Sequence, residues 1–314
     1  MRKCVDCAMV FAALSMVAAN SCAQTTEPAW AISPSVNTSS DSDGLNIHKV
    51  SLAVLPAYQS GFQWQGMEWQ TQRYQQNNTS IDGKTISYAI QSIEARTGMG
   101  HQLKLGVSQQ GSSSTLLTTD WNYNQSINEN LNWGLTANRD WVESITALQQ
   151  NTYFDLVGAN LDYQLHPRLT LVGAINQTWF SDEHQRLQKR MRAIWDAFPN
   201  QGVTLQWSYK HQMGESLSAP TYFNPDQLDE SIAMIGWRRR MEGWQIYARL
   251  GTGYQSVNAQ TNTPTRLSEL QVTSPNNGSY FLKFRIGSNE AYGLNGPNYL
   301  YRFADVQWIW RLGR

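Results

Sequence analysis

From Trp244 to Gln255 the chain alternates with a period of two. Trp244, Ile246, Ala248, Leu250, Thr252 and Tyr254 share one parity, and Gln245, Tyr247, Arg249, Gly251, Gly253 and Gln255 share the other. Successive strand side chains point to opposite faces, so the stretch predicts one long strand with an apolar wall and a polar wall. The same beat returns at Leu103, Leu105 and Val107, at Leu117, Thr119, Trp121 and Tyr123, and at Val157, Ala159, Leu161, Tyr163 and Leu165. It resumes at Leu169 and Leu171, at Val203, Leu205, Trp207 and Tyr209, at Tyr280, Leu282, Phe284 and Ile286, and at Val306, Trp308, Trp310 and Leu312. These segments run about ten to fourteen residues, where a usual soluble strand has roughly five or six. Helical periodicity is nowhere convincing.

Alternation alone does not say which wall meets water, because a soluble sandwich alternates too. Strand length decides. Trp244 and Tyr254 bracket an apolar middle; at about 3.3 Å per residue and a tilt near 45° they stand roughly 23 Å apart along a membrane normal, close to the ~25 Å apolar band of a membrane barrel with its aromatic girdles. In hydrocarbon an open sheet edge leaves N–H and C=O groups unpaired, so such a sheet must close on itself. The pattern therefore predicts an all-β fold, a transmembrane antiparallel up-and-down barrel. About fifteen such alternating segments are present, and bacterial single-chain barrels have even strand numbers, which gives about 16 strands with 14 as the alternative. The barrel is expected over residues 48–314, preceded by a flexible Ser/Thr/Asn/Asp-rich segment at 24–47. Short turns such as His166-Pro167-Arg168 belong to the periplasmic side, and the longer polar stretches near 74–83, 142–151, 212–225 and 256–265 to the outside.

The first residues fit export. Arg2 and Lys3 precede an apolar run from Ala8 to Ala19, and Ser21-Cys22-Ala23 supplies small residues for cleavage after Ala23. Residues 1–23 thus read as a signal peptide. Lipidation of Cys22 is the alternative, which Ala19 and Asn20 fit poorly. All three cysteines, Cys4, Cys7 and Cys22, leave with the signal, as expected of a chain that crosses an oxidising periplasm unfolded. Lys+Arg and Asp+Glu balance at 24 each, which removes the electrostatic footprint of a nucleic-acid binder. No run approaches the roughly twenty apolar residues of a membrane helix. The expected surroundings are the lipids of a Gram-negative outer membrane.

Candidate chemistry is sparse. His48, His101, His166, His184 and His211 are scattered without metal-ligand spacing, and read as solvated or interfacial. No cofactor, metal site or catalytic residue is predicted. Ser181-Asp182-Glu183-His184 contains hydrolase residue types, but on a strand Asp182 and His184 share a face that Ser181 does not. The lumen candidates are Arg186, Arg190 and Arg192 on one strand and Tyr247 and Arg249 on another. Cations on a polar wall either set the selectivity of a pore or pair with carboxylates across it. The many Trp and Tyr residues fall mostly at strand ends or on the lipid-facing parity, and read as girdle rather than as sugar-stacking surfaces.

Three stretches carry a resemblance: NRDWVESITALQQNTYFDLVGANLDYQLHPRLTL, then FSDEHQR at 180–186, then PTYFNPDQL at 220–228. They resemble the C-terminal outer-membrane barrels of bacterial exopolysaccharide exporters, the cellulose and poly-N-acetylglucosamine type. Ser181, Asp182 and Arg186 match that family's S-D-G-N-x-R-like strand start, and Tyr222, Phe223, Asn224 and Pro225 its Y-F-S-P-like segment. Glu183 and His184 depart from the pattern, and residues 24–47 cannot hold even one of the tetratricopeptide repeats those exporters carry. The resemblance implies a passive pore for a secreted polysaccharide, of the kind used in biofilm formation, with a separate periplasmic scaffold protein. A general small-solute porin is the alternative in the same class; a barrel enzyme and an adhesin-like or structural barrel are alternatives from others.

Overall fold

The computed structural model describes residues 29–111, 114–215, 221–276, 279–293 and 296–312. The predicted signal peptide and its cleavage site lie outside them. The described residues form sixteen strands: β1 (Ala29–Asp41), β2 (Leu45–Tyr58), β3 (Gln63–Gln76), β4 (Thr79–Ile93), β5 (Gly100–Gln110), β6 (Ser114–Asn128), β7 (Leu131–Trp141) and β8 (Tyr153–His166). They continue as β9 (Leu169–Phe180), β10 (Gln185–Phe198), β11 (Val203–Glu215), β12 (Gln227–Met241), β13 (Trp244–Val257), β14 (Thr263–Thr273), β15 (Tyr280–Gly293) and β16 (Gly296–Leu312). A short helix, α1 (Ile145–Gln149), sits between β7 and β8. Every strand pairs antiparallel with its sequence neighbours, and β1 pairs with β16, so the sheet is a closed barrel.

Closure corrects the expected domain layout. Residues 29–47, expected as flexible lead-in, are β1 and the start of β2, and β1 completes the ring through pairs such as Val36↔Val306 and Asp41↔Tyr301. The segment's Ser, Thr and Asn content suggested a loop because a strand with a wet inner wall needs apolar residues only where it meets lipid. On β1 these are Trp30, Ile32 and Val36; Ser33, Ser35, Asn37 and Ser39 take the opposite parity and face inward. Pro34, which cannot donate to a ladder, falls where the β1–β16 register has a gap between Ile32 and Ser35.

The two walls separate as the alternation demands. Leu250, Leu205 and Leu161 are 66%, 41% and 48% exposed on the outer surface, beyond anything a dry core would leave. At one end an outward aromatic belt includes Trp30, Tyr163, Trp195, Trp237, Tyr280 and Trp310. Toward the other end the outer face carries the ion pairs Arg73–Asp82, Arg139–Asp155, His211–Asp229 and Arg266–Glu290. Charges of this kind are not placed against acyl tails, so there the strands stand clear of the apolar band. The connections agree. The first end is joined by turns as short as 129–130, 167–168 and 242–243, whereas the second holds the connections 142–152, 216–226 and 258–262.

All four stretches expected on one side do share that second end, but 74–83 is no long loop. It is a two-residue turn, Asn77-Asn78, between β3 and β4. Asn77 takes φ 52°, a left-handed conformation that asparagine tolerates better than most side chains.

Replacing Leu250 with Arg puts a charge in the middle of the outer apolar band and should lower unfolding stability in bilayers by about 2–4 kcal/mol. Ser40→Arg, beyond the band, should cost about 0–1 kcal/mol by the same depth dependence. Denaturant titration of the two variants in phospholipid vesicles checks the difference.

Candidate functional site: the lumen and its inward cap

The barrel is not an empty tube. The 142–152 connection turns into the mouth, where Ser144 caps α1 by accepting from Ala147 N at 3.1 Å. Ile145 and Leu148 of α1 pack on Leu45, Ile47, Tyr74, Leu116 and Trp141 of the inner wall. Lys49 on β2 holds the connection by an ion pair with Glu143 at 2.5 Å. The other side of α1, through Ala147, meets Phe180 and Tyr222. Residues 142–152 and 221–226 together form a cap over part of the opening.

The second half of the cap is latched to the β9–β10 turn, and the latch is built from the two sequence motifs. Arg186 Nε donates to Asn224 Oδ1 at 3.0 Å and its Nη2 donates to the Phe223 carbonyl at 2.6 Å, with the guanidinium 5.1 Å over the Phe180 ring. The Tyr222 hydroxyl donates to Asp182 Oδ1 at 3.0 Å, and the Tyr222 and Phe180 rings lie 4.6 Å apart. His184 is buried, with Nδ1 2.9 Å from Asp182 Oδ1 and its ring edge-on to Tyr222 at 6.0 Å. Pro225 passes so close to β11 that a β-carbon at Gly214 would collide with its carbonyl; only glycine admits the loop there.

The geometry corrects two expectations. His184 is neither solvated nor interfacial, because it fills the space under Tyr222. Arg186 faces inward but is taken up by the loop it clamps, so it does not line open lumen. The hydrolase residue types of this stretch are engaged separately: the Ser181 hydroxyl accepts from Tyr153 N at 3.0 Å, and Asp182 meets Tyr222 and His184. Ser181, Asp182, Tyr222, Phe223 and Pro225, expected only as motif positions, turn out to lie at one joint.

The remaining candidates divide. Arg249 is bound at 2.5 Å to Glu269, which also holds Arg285 at 3.0 Å. Tyr247 lies under the guanidinium of Arg238 at 5.4 Å. Arg190 and Arg192 face the interior by parity, and neither makes an ion pair with a carboxylate among the described residues. The inner wall is also polarised across its diameter. Strands β10–β16 carry Arg190, Arg192, Lys210, Arg238, Arg249, Lys283 and Arg285, against Asp196, Glu230, Glu269 and Asp305. Strands β1–β9 carry Asp41, Glu68, Asp120, Asp140 and Asp162, and their cations Lys49 and Lys104 are paired with Glu143 and Glu68. A low-dielectric wall lets such a separation act across the water between.

At the opposite end the lumen is narrowed by an apolar cluster. Gly61 and Phe62 turn inward against Phe281, with the Phe62 and Phe281 rings edge-on at 5.3 Å and Leu55 and Ile309 buried beside them. Gly61 N donates to Asn276 Oδ1 at 2.7 Å, tying the β2–β3 turn to the β14–β15 connection across the β1–β16 seam.

No protein-family profile matches the sequence, and no curated protein matches it. The structure does find counterparts. A bacterial polysaccharide outer membrane secretin superposes with a TM-score of 0.66 at 10% identity, covering 91% of this chain and 99% of that one. The fold is that of a bacterial outer-membrane barrel. OpdQ of Pseudomonas aeruginosa matches with a TM-score of 0.44 at 9% identity, covering 92% of this chain and 100% of that one. OprD of the same species matches with 0.44 at 10% identity, over 90% and 94%. The resemblance to polysaccharide secretins read from the motifs thus holds for the fold.

Charge-assisted hydrogen bonds of this kind are worth about 1.5–3 kcal/mol each. Arg186→Ala should therefore raise amide exchange across 221–226 roughly tenfold or more, with Tyr222→Phe milder. Burial first, then the hydrogen bond to Asp182, raises the Tyr222 hydroxyl above the ordinary tyrosine range. A raised value keeps the donor protonated, so its contribution is complete below about pH 10 and is lost only as pH rises through the folded value. Hydrogen-exchange mass spectrometry of the variants, with the wild-type protection factors compared at about pH 7 and 9, checks both statements; unchanged exchange in Arg186→Ala would remove the latch.

Proposed function

We propose that the chain is an outer-membrane pore through which a secreted polysaccharide leaves the cell by passive movement along a hydrated lumen. The observation that carries this reading is the pairing of an apolar outer wall with an inner wall of Gln, Asn, Ser and charged side chains, part of it, Arg190 and Arg192, free of ion pairs among the described residues. A lumen of this kind solvates hydroxyl-rich solutes along its length and needs no bound cofactor. The superposition on a polysaccharide secretin over 91% of this chain supports the choice of cargo. On this reading residues 1–23 are the cleaved export signal, the capped end faces the cell exterior, the short-turn end faces the periplasm, and a separate scaffold protein completes the export path.

One observation favours a second reading. The opposition of a basic wall on β10–β16 and an acidic wall on β1–β9 sets up a transverse field, which orients any small dipolar solute and suits a general porin equally well. The latched joint around Arg186 leaves no evident reacting centre among Ser181, Asp182 and His184, which supports transport over hydrolysis.

Planar-bilayer recording tests the pore. The wild-type barrel should conduct, and Arg190→Gln with Arg192→Gln should move the reversal potential in a salt gradient toward cation preference. A silent barrel would refute the pore; an unchanged reversal potential would show that the two arginines do not line the conducting path.

A further inference from the structure

We infer that the cleft between the cap and the β16 wall is a stacking subsite for uncharged hexopyranose rings. The inference rests on the polysaccharide reading above and gives the polymer a contact at the exit of the lumen. Beside the cap lies a cavity of about 410 Å³, lined by Asp41, Asp43, Glu143, Phe223, Tyr299 and Tyr301. That volume is within the range of small-ligand sites.

The lining matches the two faces of a sugar ring. A pyranose presents C–H groups on its flat face and hydroxyls around its edge, so it packs against aromatic rings while its edge donates to carboxylates. The aromatics are supplied by Phe223 from the cap and by the inner face of β16, where parity puts Tyr299, Tyr301 and Phe303 on one line leading down from the mouth. Tyr301 and Phe303 lie 6.0 Å apart at 31°, and the Arg285 guanidinium stands over Phe303 at 4.5 Å. The acceptors are supplied by the β1–β2 turn. Asp41 is fixed before any ligand arrives, because Oδ1 accepts from Leu45 N at 2.9 Å and Oδ2 from the Tyr299 hydroxyl at 3.0 Å.

Charge narrows the class. Lys49 neutralises Glu143, while Asp41 and Asp43 have no cation in ion-pair contact among the described residues. The cleft is therefore acidic, and a uronate or sulfated sugar would bring like charge against it. The basic wall adjoins the line at its lower end, where Glu269 and Asp305 hold Arg285 beside Phe303, so the rejection of anions is local to the mouth.

The test uses the full barrel in lipid nanodiscs and calorimetric titration with two probes, a β-1,4-linked glucose hexamer and a galacturonate hexamer. The glucose hexamer should bind saturably, and Tyr301→Leu and Phe223→Leu should each weaken it roughly tenfold, with heat-modifiable gel migration unchanged as the check on folding. Tyr299→Phe, which frees Asp41, should weaken it less. Equal affinity in the Leu variants, or tighter binding of the galacturonate hexamer, overturns the subsite. A wild-type barrel that conducts ions but shows no saturable glucose-hexamer binding also overturns it, while leaving the pore standing. Binding with the expected variant pattern in a barrel that carries no current supports the subsite and refutes the pore.

Discussion

Backbone hydrogen bonding is the constraint on which this structure depends. Hydrocarbon offers no partner for an N–H or C=O group, so each strand edge must find another strand. Fifteen of the pairings are made by sequence neighbours, and the sixteenth joins β1 to β16 across nearly the whole chain. The seam is reinforced on the inside: Asn37 donates to Asp305, Asp305 lies near Arg285, and Tyr299 reaches Asp41. Once the ring is closed, parity is no longer free. A one-residue slip in any strand would carry its Leu and Trp residues into water and its Gln and Arg residues into lipid, so burial and register enforce each other.

Closure also explains why the interior can hold its charges. Lumen carboxylates and cations sit on neighbouring or facing strands, and the Arg249–Glu269–Arg285 cluster crosses three of them. A polar inner wall tolerates ions that would be costly in an apolar core. The cap uses the same wall differently: where 142–152 and 221–226 fold inward, they exclude water and require apolar partners beneath them. The result is a lumen lined by polar side chains in the middle and partly by apolar ones at each end, with aromatic and acidic groups together at the capped mouth.

The outward wall was legible from the alternation, because Leu161, Leu205 and Leu250 each sit between polar neighbours and could face only one way. The strand number followed from the count of about fifteen alternating segments and the even-number rule. The inward apolar clusters were not legible by the same logic, which assigns every apolar residue to lipid. Their signal is the place where alternation lapses: Tyr280-Phe281-Leu282, Trp308-Ile309-Trp310 and Leu116-Leu117 each hold consecutive apolar residues, and Phe281, Ile309 and Leu116 are the buried, inward members. The strand character of β1 was hidden for the opposite reason, since a lumen-facing Ser/Asn row has the composition of a loop. The stacking line on β16 was missed because Tyr299, Tyr301 and Phe303 precede the outward set Val306, Trp308 and Trp310 on the other parity. The latch was half visible: its residues formed two recognisable motifs, but only the fold brings positions 181–186 against 222–225.

The central claim is the inside-out placement of the two walls, and it is most directly measured by spin labels introduced one at a time from position 245 to 255 of β13 in lipid bilayers. Collision rates with oxygen, which concentrates in acyl chains, and with a water-soluble nickel complex should alternate with a period of two. Even positions should respond to oxygen and odd positions to nickel. Reversed phase, or even positions shielded from both reagents as in a dry core, would contradict the account.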